Sequence, residues 1–221
     1  MSIEEELPAA DVSAPGDIIT IVIPSGREFY VHSNILKNYS GYFRAGLRTP
    51  MLEATTRTFH LEEYASAGAM TIFVRWLYAQ ANGGTWLSES PPSTDDLILA
   101  WLLGDYLDAQ GFVTCIYMEL DDNATAFDVG ALKDHWTEIK AHPDLHACIL
   151  QLAVDALASK PKMTDVIKTL PREAVEDITS VLAERVNLLT PRFHEEENMS
   201  GWGTWEDSDV ASNNSTRGTQ W

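Results

Sequence analysis

Residues 17–43, DIITIVIPSGREFYVHSNILKNYSGYF, are the stretch whose reading decides the fold. Residues 18–23 form a continuous, mainly β-branched apolar run, and residues 27–31 alternate, with Phe29 and Val31 on one side. The Pro24-Ser25-Gly26 turn between them predicts a β-hairpin. Near-total apolarity in the first run predicts a strand buried on both faces. After Val31 the period changes from two to about 3.6. Ile35, Leu36, Tyr39, Phe43 and Leu47 fall on one helical stripe, which Gly41 divides into two short helices. His32, Ser33 or Asn34 would supply the N-cap.

Upstream, residues 1–16 are acidic and aperiodic and contain Pro8 and Pro15, the composition of a disordered leader. Downstream, Thr49-Pro50 closes the helical region, and residues 55–61 return to alternation. Arg57, Phe59 and Leu61 share one side there, which predicts a third strand able to lie beside the hairpin. Residues 66–79 form a helix that is apolar on most sides and therefore buried. A long loop over 80–92 follows, within which Thr85-Trp86-Leu87 has the pattern of a short edge strand. Ser93 or Thr94, followed by Asp95 and Asp96, starts a helix whose acids suit the positive end of its dipole. That helix runs through LILAWLLGDYLDAQ, and FVTCIYMELDD forms another. Residues 129–140, 144–158, 162–170 and 171–189 continue as helices separated by Pro143, Pro161 and Pro171, the last suited to a first-turn position. Beyond Pro191 the chain is acidic and rich in Gly, Ser and Asn. The expected organisation is a disordered acidic leader over 1–16, an α+β domain over 17–122, a helical extension over 123–191 and a disordered, tryptophan-bearing acidic tail over 192–221.

The chain has 221 residues, 45% of them apolar, which is enough for a substantial core. Its net charge is −18. Residues 18–88 are slightly basic, whereas residues 76–132 hold nine acids and no Lys or Arg. Such a surface repels phosphate backbones, which excludes direct nucleic-acid reading, and its natural complement is a protein with a basic face. No apolar run approaches the ~18 residues that span a bilayer, and the acidic N-terminus is unlike a signal peptide. The expectation is a cytoplasmic or nuclear protein with no membrane partner. Cys115 and Cys148 are too few for a disulfide framework and read as small core residues.

Catalytic patterns are lacking. The chain contains no Gly-x-Ser-x-Gly elbow, no His-Glu-x-x-His and no phosphate loop. His142 and His146 stand at helical ligand spacing, with His135 upstream, but Pro143 places them astride a helix start, so no metal site is expected. Asp105, Asp108, Glu119, Asp121 and Asp122 read as solvated helix faces. The chain is therefore read as non-enzymatic, with no cofactor. In the tail, Trp202 and Trp205 among acids suit docking into apolar pockets rimmed by bases, and Ser208 is flanked by acids as a kinase site would be.

Six segments in order give residues 17–120 a resemblance to the BTB/POZ domain. Asp17 and its apolar strand look like the family's opening strand, and Val31-His32 through Leu36 resembles its Val-His-x-x-x-Leu segment. Ser40, Tyr42 and Phe43 resemble its Ser-x-Tyr/Phe-Phe element, and Phe59-His60-Leu61 its third strand. Phe73, Trp76, Leu77 and Tyr78 resemble its Phe-x-x-Trp-Leu-Tyr helix, and residues 99–107, with Tyr106, its Ala-Asp-Tyr-Leu helix. The resemblance implies a small β-sheet sheathed by helices and a protein–protein interaction role. That role would be homodimerisation, hetero-association or adaptor service on a cullin-type ubiquitin ligase scaffold. Met51-Leu52-Glu53 stands where such adaptors carry a hydrophobic-x-Glu docking motif, which makes Met51 and Glu53 candidate contacts. The alternative is a transcription co-regulator or homo-oligomerising scaffold acting through this domain and the acidic tail.

Overall fold

Ile19, Ile21 and Ile23 project to one side of an extended chain, and this alternation decides how the first strand is buried. In the computed structural model, which describes residues 17–48, 52–85, 91–159 and 164–189, strand β1 (Ile18–Val22) pairs antiparallel with β2 (Glu28–His32). Ile18 lies opposite His32 and Val22 opposite Glu28. Gly26 closes the turn at a φ of +79°, its N–H donating to the Ile23 carbonyl at 2.8 Å. Ile19, Ile21, Phe29 and Val31 are buried, but Ile18 is 46% and Tyr30 60% exposed. The expectation that β1 is buried on both faces is thus corrected. The inner face is packed by helices, and the outer face keeps a partly open row of side chains.

Strand β3 (Thr58–His60) runs parallel to β1, giving the order β2-β1-β3. It is shorter than the alternation over 55–61 predicts, because two of those positions belong to a helix. Helices α1 (Ser33–Tyr39), α2 (Gly41–Arg48) and α3 (Leu52–Thr56) connect the hairpin to β3. Arg57 ends α3 at a φ of +58°, its N–H donating to Glu53 O at 2.8 Å, and only then does the chain extend. Phe59 and Leu61 face the core, as their alternation predicts.

The break between α1 and α2 falls at Ser40, one residue before Gly41. The buried Ser40 hydroxyl donates to Leu107 O at 2.6 Å and accepts from the Phe43 N–H at 3.3 Å. Gly41 has no Cβ to spare. One built there would lie 1.8 Å from the Asp108 carboxylate, which sits over the start of α2. His32 is the N-cap of α1 by backbone alone, since its Nδ1 shares a 2.7 Å hydrogen bond with the Tyr78 hydroxyl.

Helix α4 (Ala67–Asn82) begins where Ser66 accepts a hydrogen bond from the Ala69 N–H and ends at left-handed Gly83. Helix α5 (Thr94–Tyr106) has a reciprocal cap. Ser93 Oγ accepts from the Asp96 N–H at 3.1 Å and donates to the Asp96 carboxylate at 2.8 Å. Helix α6 (Gln110–Asp122) packs back on α5, with Phe112 and Val113 against Gly104. No strand forms at Thr85, and Trp86 and Leu87 lie outside the described residues.

Two short 3-10 turns, Ala124–Ala126 and Val129–Ala131, lead into α7 (Leu132–Ala141), α8 (Pro143–Ser159), α9 (Thr164–Ile167) and α10 (Arg172–Leu189). Pro171 precedes α10 instead of joining its first turn, and its carbonyl accepts from the Val175 N–H at 3.1 Å. Phe127, Trp136, Leu145, Ile149 and Ile178 belong to the same hydrophobic cluster as Ile21 and Phe73, so the core continues from the sheet and its helices into these helices. The protein is therefore α+β, a small sheet sheathed by helices and continued by further helices. Among the described residues, no helix is long and apolar enough to cross a membrane.

Candidate functional site

Most of the residues singled out in the sequence build the frame that holds a surface. Leu36, Ser40, Phe43, Phe59, Phe73, Trp76 and Leu77 are buried. Asp17 stays exposed and ties β1 to the end of α3 through a 2.7 Å ion pair with Arg57. His32 reaches α4 through Tyr78. Tyr42 and Tyr106 are only half-buried and so form the rim of the core.

That rim is where the described part of the proposed docking segment lies. Glu53 falls in the first turn of α3, not in a loop, and an acid there complements the helix dipole. Met51, Trp202 and Trp205 lie outside the described residues. Helix α2 presents Tyr42 one residue before core Phe43, about 100° away around the helix, so the phenol stands at the edge while Phe43 goes inward. Its ring meets Phe43 at 5.3 Å, Phe59 at 6.2 Å and Tyr106 at 5.4 Å between centroids. Burial, then a hydrogen bond and charge interaction with Tyr106, and last the negative charge of Glu53 push the Tyr42 phenol up to about 12. Tyr42 is therefore a neutral hydroxyl at physiological pH. The result is an aromatic pair, apolar in body and polar at the tip, beside a carboxylate.

A second half-buried tyrosine, which no motif in the sequence marks, carries a similar setting. Tyr64 takes a positive φ of 54° after β3, and its phenol is pushed up by burial and then by Glu63, Glu138 and Asp105. Those acids come from a loop, α7 and α5, which only the folded chain brings together. Its signal in the sequence is slight, one tyrosine in an acidic loop. Surfaces of tyrosine rimmed by carboxylates suit docking of a partner that offers apolar side chains among bases.

The histidines do not converge. His135 Nε2 lies 2.6 Å from Asp95 Oδ1, His142 Nδ1 lies 3.5 Å from Asp105 Oδ2, and His146 Nε2 lies 3.4 Å from Asp177 Oδ2. Each spans two helices, and His142 caps the end of α7 while His146 sits in the first turns of α8. Among the described residues, no group of three His, Cys, Asp or Glu could hold a metal ion. The reading of Glu119 as a solvated acid is corrected. It is buried, and its Oε1 accepts from Asn123 Nδ2 at 2.6 Å. Cys115 and Cys148 are free and half-buried, and burial pushes the Cys148 thiol up. No protein-family model matches this chain, and no characterised protein matches its sequence significantly.

Proposed function

We propose that the chain is a non-catalytic protein–protein interaction module of the BTB/POZ kind, serving as an adaptor that docks onto a cullin-type ubiquitin ligase scaffold. The observation that carries the reading is the surface at Glu53, Tyr42 and Tyr106. Glu53 belongs to the segment that the family resemblance associates with docking, and Tyr42 with Tyr106 adds aromatic area beside that acid. A small sheet sheathed by helices supports the same reading, because it holds α2, α3 and α5 in fixed relation. Titration of the full chain with a purified cullin amino-terminal domain tests it calorimetrically. Saturable binding is expected, weakened about tenfold or more by Met51→Asp or Glu53→Lys at an unchanged melting temperature, as for residues at the centre of an interface. Binding that neither substitution alters removes the motif from the account.

The second reading, a transcription co-regulator, is favoured by the tryptophans set among acids in residues 192–221. Nuclear enrichment lost on deleting those residues would favour it over the adaptor.

A further inference from the structure

Helix α10 lies against α7 and α8 through few side chains. Ala174 and Ile178 are buried, Val175, Val181 and Leu182 are half-buried, and Arg172, Glu173, Glu176, Thr179 and Ser180 face solvent. One acid sits within the inward stripe. Asp177 Oδ2 stands 3.5 Å from Lys140 Nζ on α7 and 3.4 Å from His146 Nε2 on α8, and Lys140 also reaches Glu173 at 3.4 Å. Asp177 Oδ2 and His146 Nε2 are both shielded from water without a hydrogen bond, as is Trp136 Nε1, whose ring meets His146 edge-on at 5.3 Å between centroids. Asp177 and His146 meet only at 3.4 Å, longer than a good hydrogen bond, and the Trp136 N–H has no acceptor, so the contact that seals these atoms is imperfectly satisfied. The seam therefore receives a helix with a narrow apolar stripe and one carboxylate, and holds it loosely.

We propose that the seam of α7 and α8 marked by Trp136, Lys140 and His146 is a docking site for an acid-bearing amphipathic helix. Helix α10 fills it in this structure, and a partner helix can displace it. The partner's chemistry is read from the present occupant: a small and a branched apolar side chain four residues apart, as Ala174 and Ile178 are, with a carboxylate just before the second. Lys140 supplies the complementary charge, its ammonium pushed up chiefly by Asp177. This surface is separate from the one at Glu53, and neither proposal depends on the other.

Native-state hydrogen exchange of the full chain, together with binding of a fluorescein-labelled peptide of residues 171–189, tests the proposal. Amides of α10 are expected to exchange through an opening that leaves α8 protected. The peptide is expected to bind the Ile178→Asp chain about tenfold or more tighter than the wild-type chain, whose own helix competes at high local concentration. Asp177→Ala in the peptide should weaken binding by about threefold, since its ion pair with Lys140 and its contact with His146 are lost. The proposal is overturned if α10 amides exchange only together with those of α8, or if both chains bind the peptide equally. A peptide indifferent to Asp177→Ala overturns it too. Should Ile178→Asp fail to fold, the exchange pattern of the wild-type chain decides.

Discussion

Phe73, Trp76 and Phe112 meet ring to ring, with centroids 5.1–6.2 Å apart, two of them on α4 and one on α6. All three are buried, so Phe73→Ala removes a ring from a packed site and should cost about 3–5 kcal/mol in a denaturant melt. A curve close to the wild type would contradict this packing. These residues were legible in the sequence because helical spacing marks an inward face without needing to know what lies opposite. Tyr42 was less legible, since adjacency to Phe43 placed it in the core motif while its half-buried phenol depends on Tyr106 and Glu53, both remote in sequence or uncertain in register. Its folded pKa is raised from 10.0 to about 12, as is that of Tyr117, so the stability each contributes is complete below about pH 10 and is lost as pH rises through about 12. Tyr42→Phe should therefore lose less stability than wild type between those two pH values in a series of melts. Parallel losses would show that the phenol is not held neutral by the fold.

At the scale of elements, the hairpin, α4, α5 and α6 could be read because periodicity and caps agree there. Ser66 and Gly83 bracket α4, and Ser93 with Asp96 opens α5. Ser66→Ala should destabilise by roughly 1 kcal/mol, seen as a shifted denaturation midpoint with an unchanged slope. A midpoint within error of wild type would show that the cap contributes nothing. Close packing between α5 and α6 gives a sharper case. A Cβ on Gly104 would stand 2.8 Å from Phe112 and 3.0 Å from Val113, so Gly104→Ala should destabilise by about 1–3 kcal/mol despite alanine's better helix propensity. A stabilised variant would mean that α6 gives way. The failures at this scale have a common cause. Alternation over 55–61 fits a strand, but one turn of helix at Leu52–Thr56 and the left-handed Arg57 consume its first residues. In β1, a run of β-branched residues satisfies both a doubly covered strand and a half-covered one, and the choice is made by helices distant in sequence.

At the scale of the whole molecule, one hydrophobic cluster runs from the sheet to Ile178, while the charge is uneven, with acids concentrated on α5 and α6 and around Tyr64. The acidic surplus was plain from sequence. Its assembly from a loop, α5 and α7 around one tyrosine was not, because it depends on how the extension packs. On the proposed reading, this body binds protein through its tyrosine-and-carboxylate rim. Quantitative affinity purification of the full chain tests it most directly, with a Tyr42→Lys, Glu53→Lys bait that melts at the same temperature run alongside. Stoichiometric partners should be recovered with the wild-type chain and lost with the variant, whereas identical partner sets, or no stoichiometric partner at all, would contradict the claim.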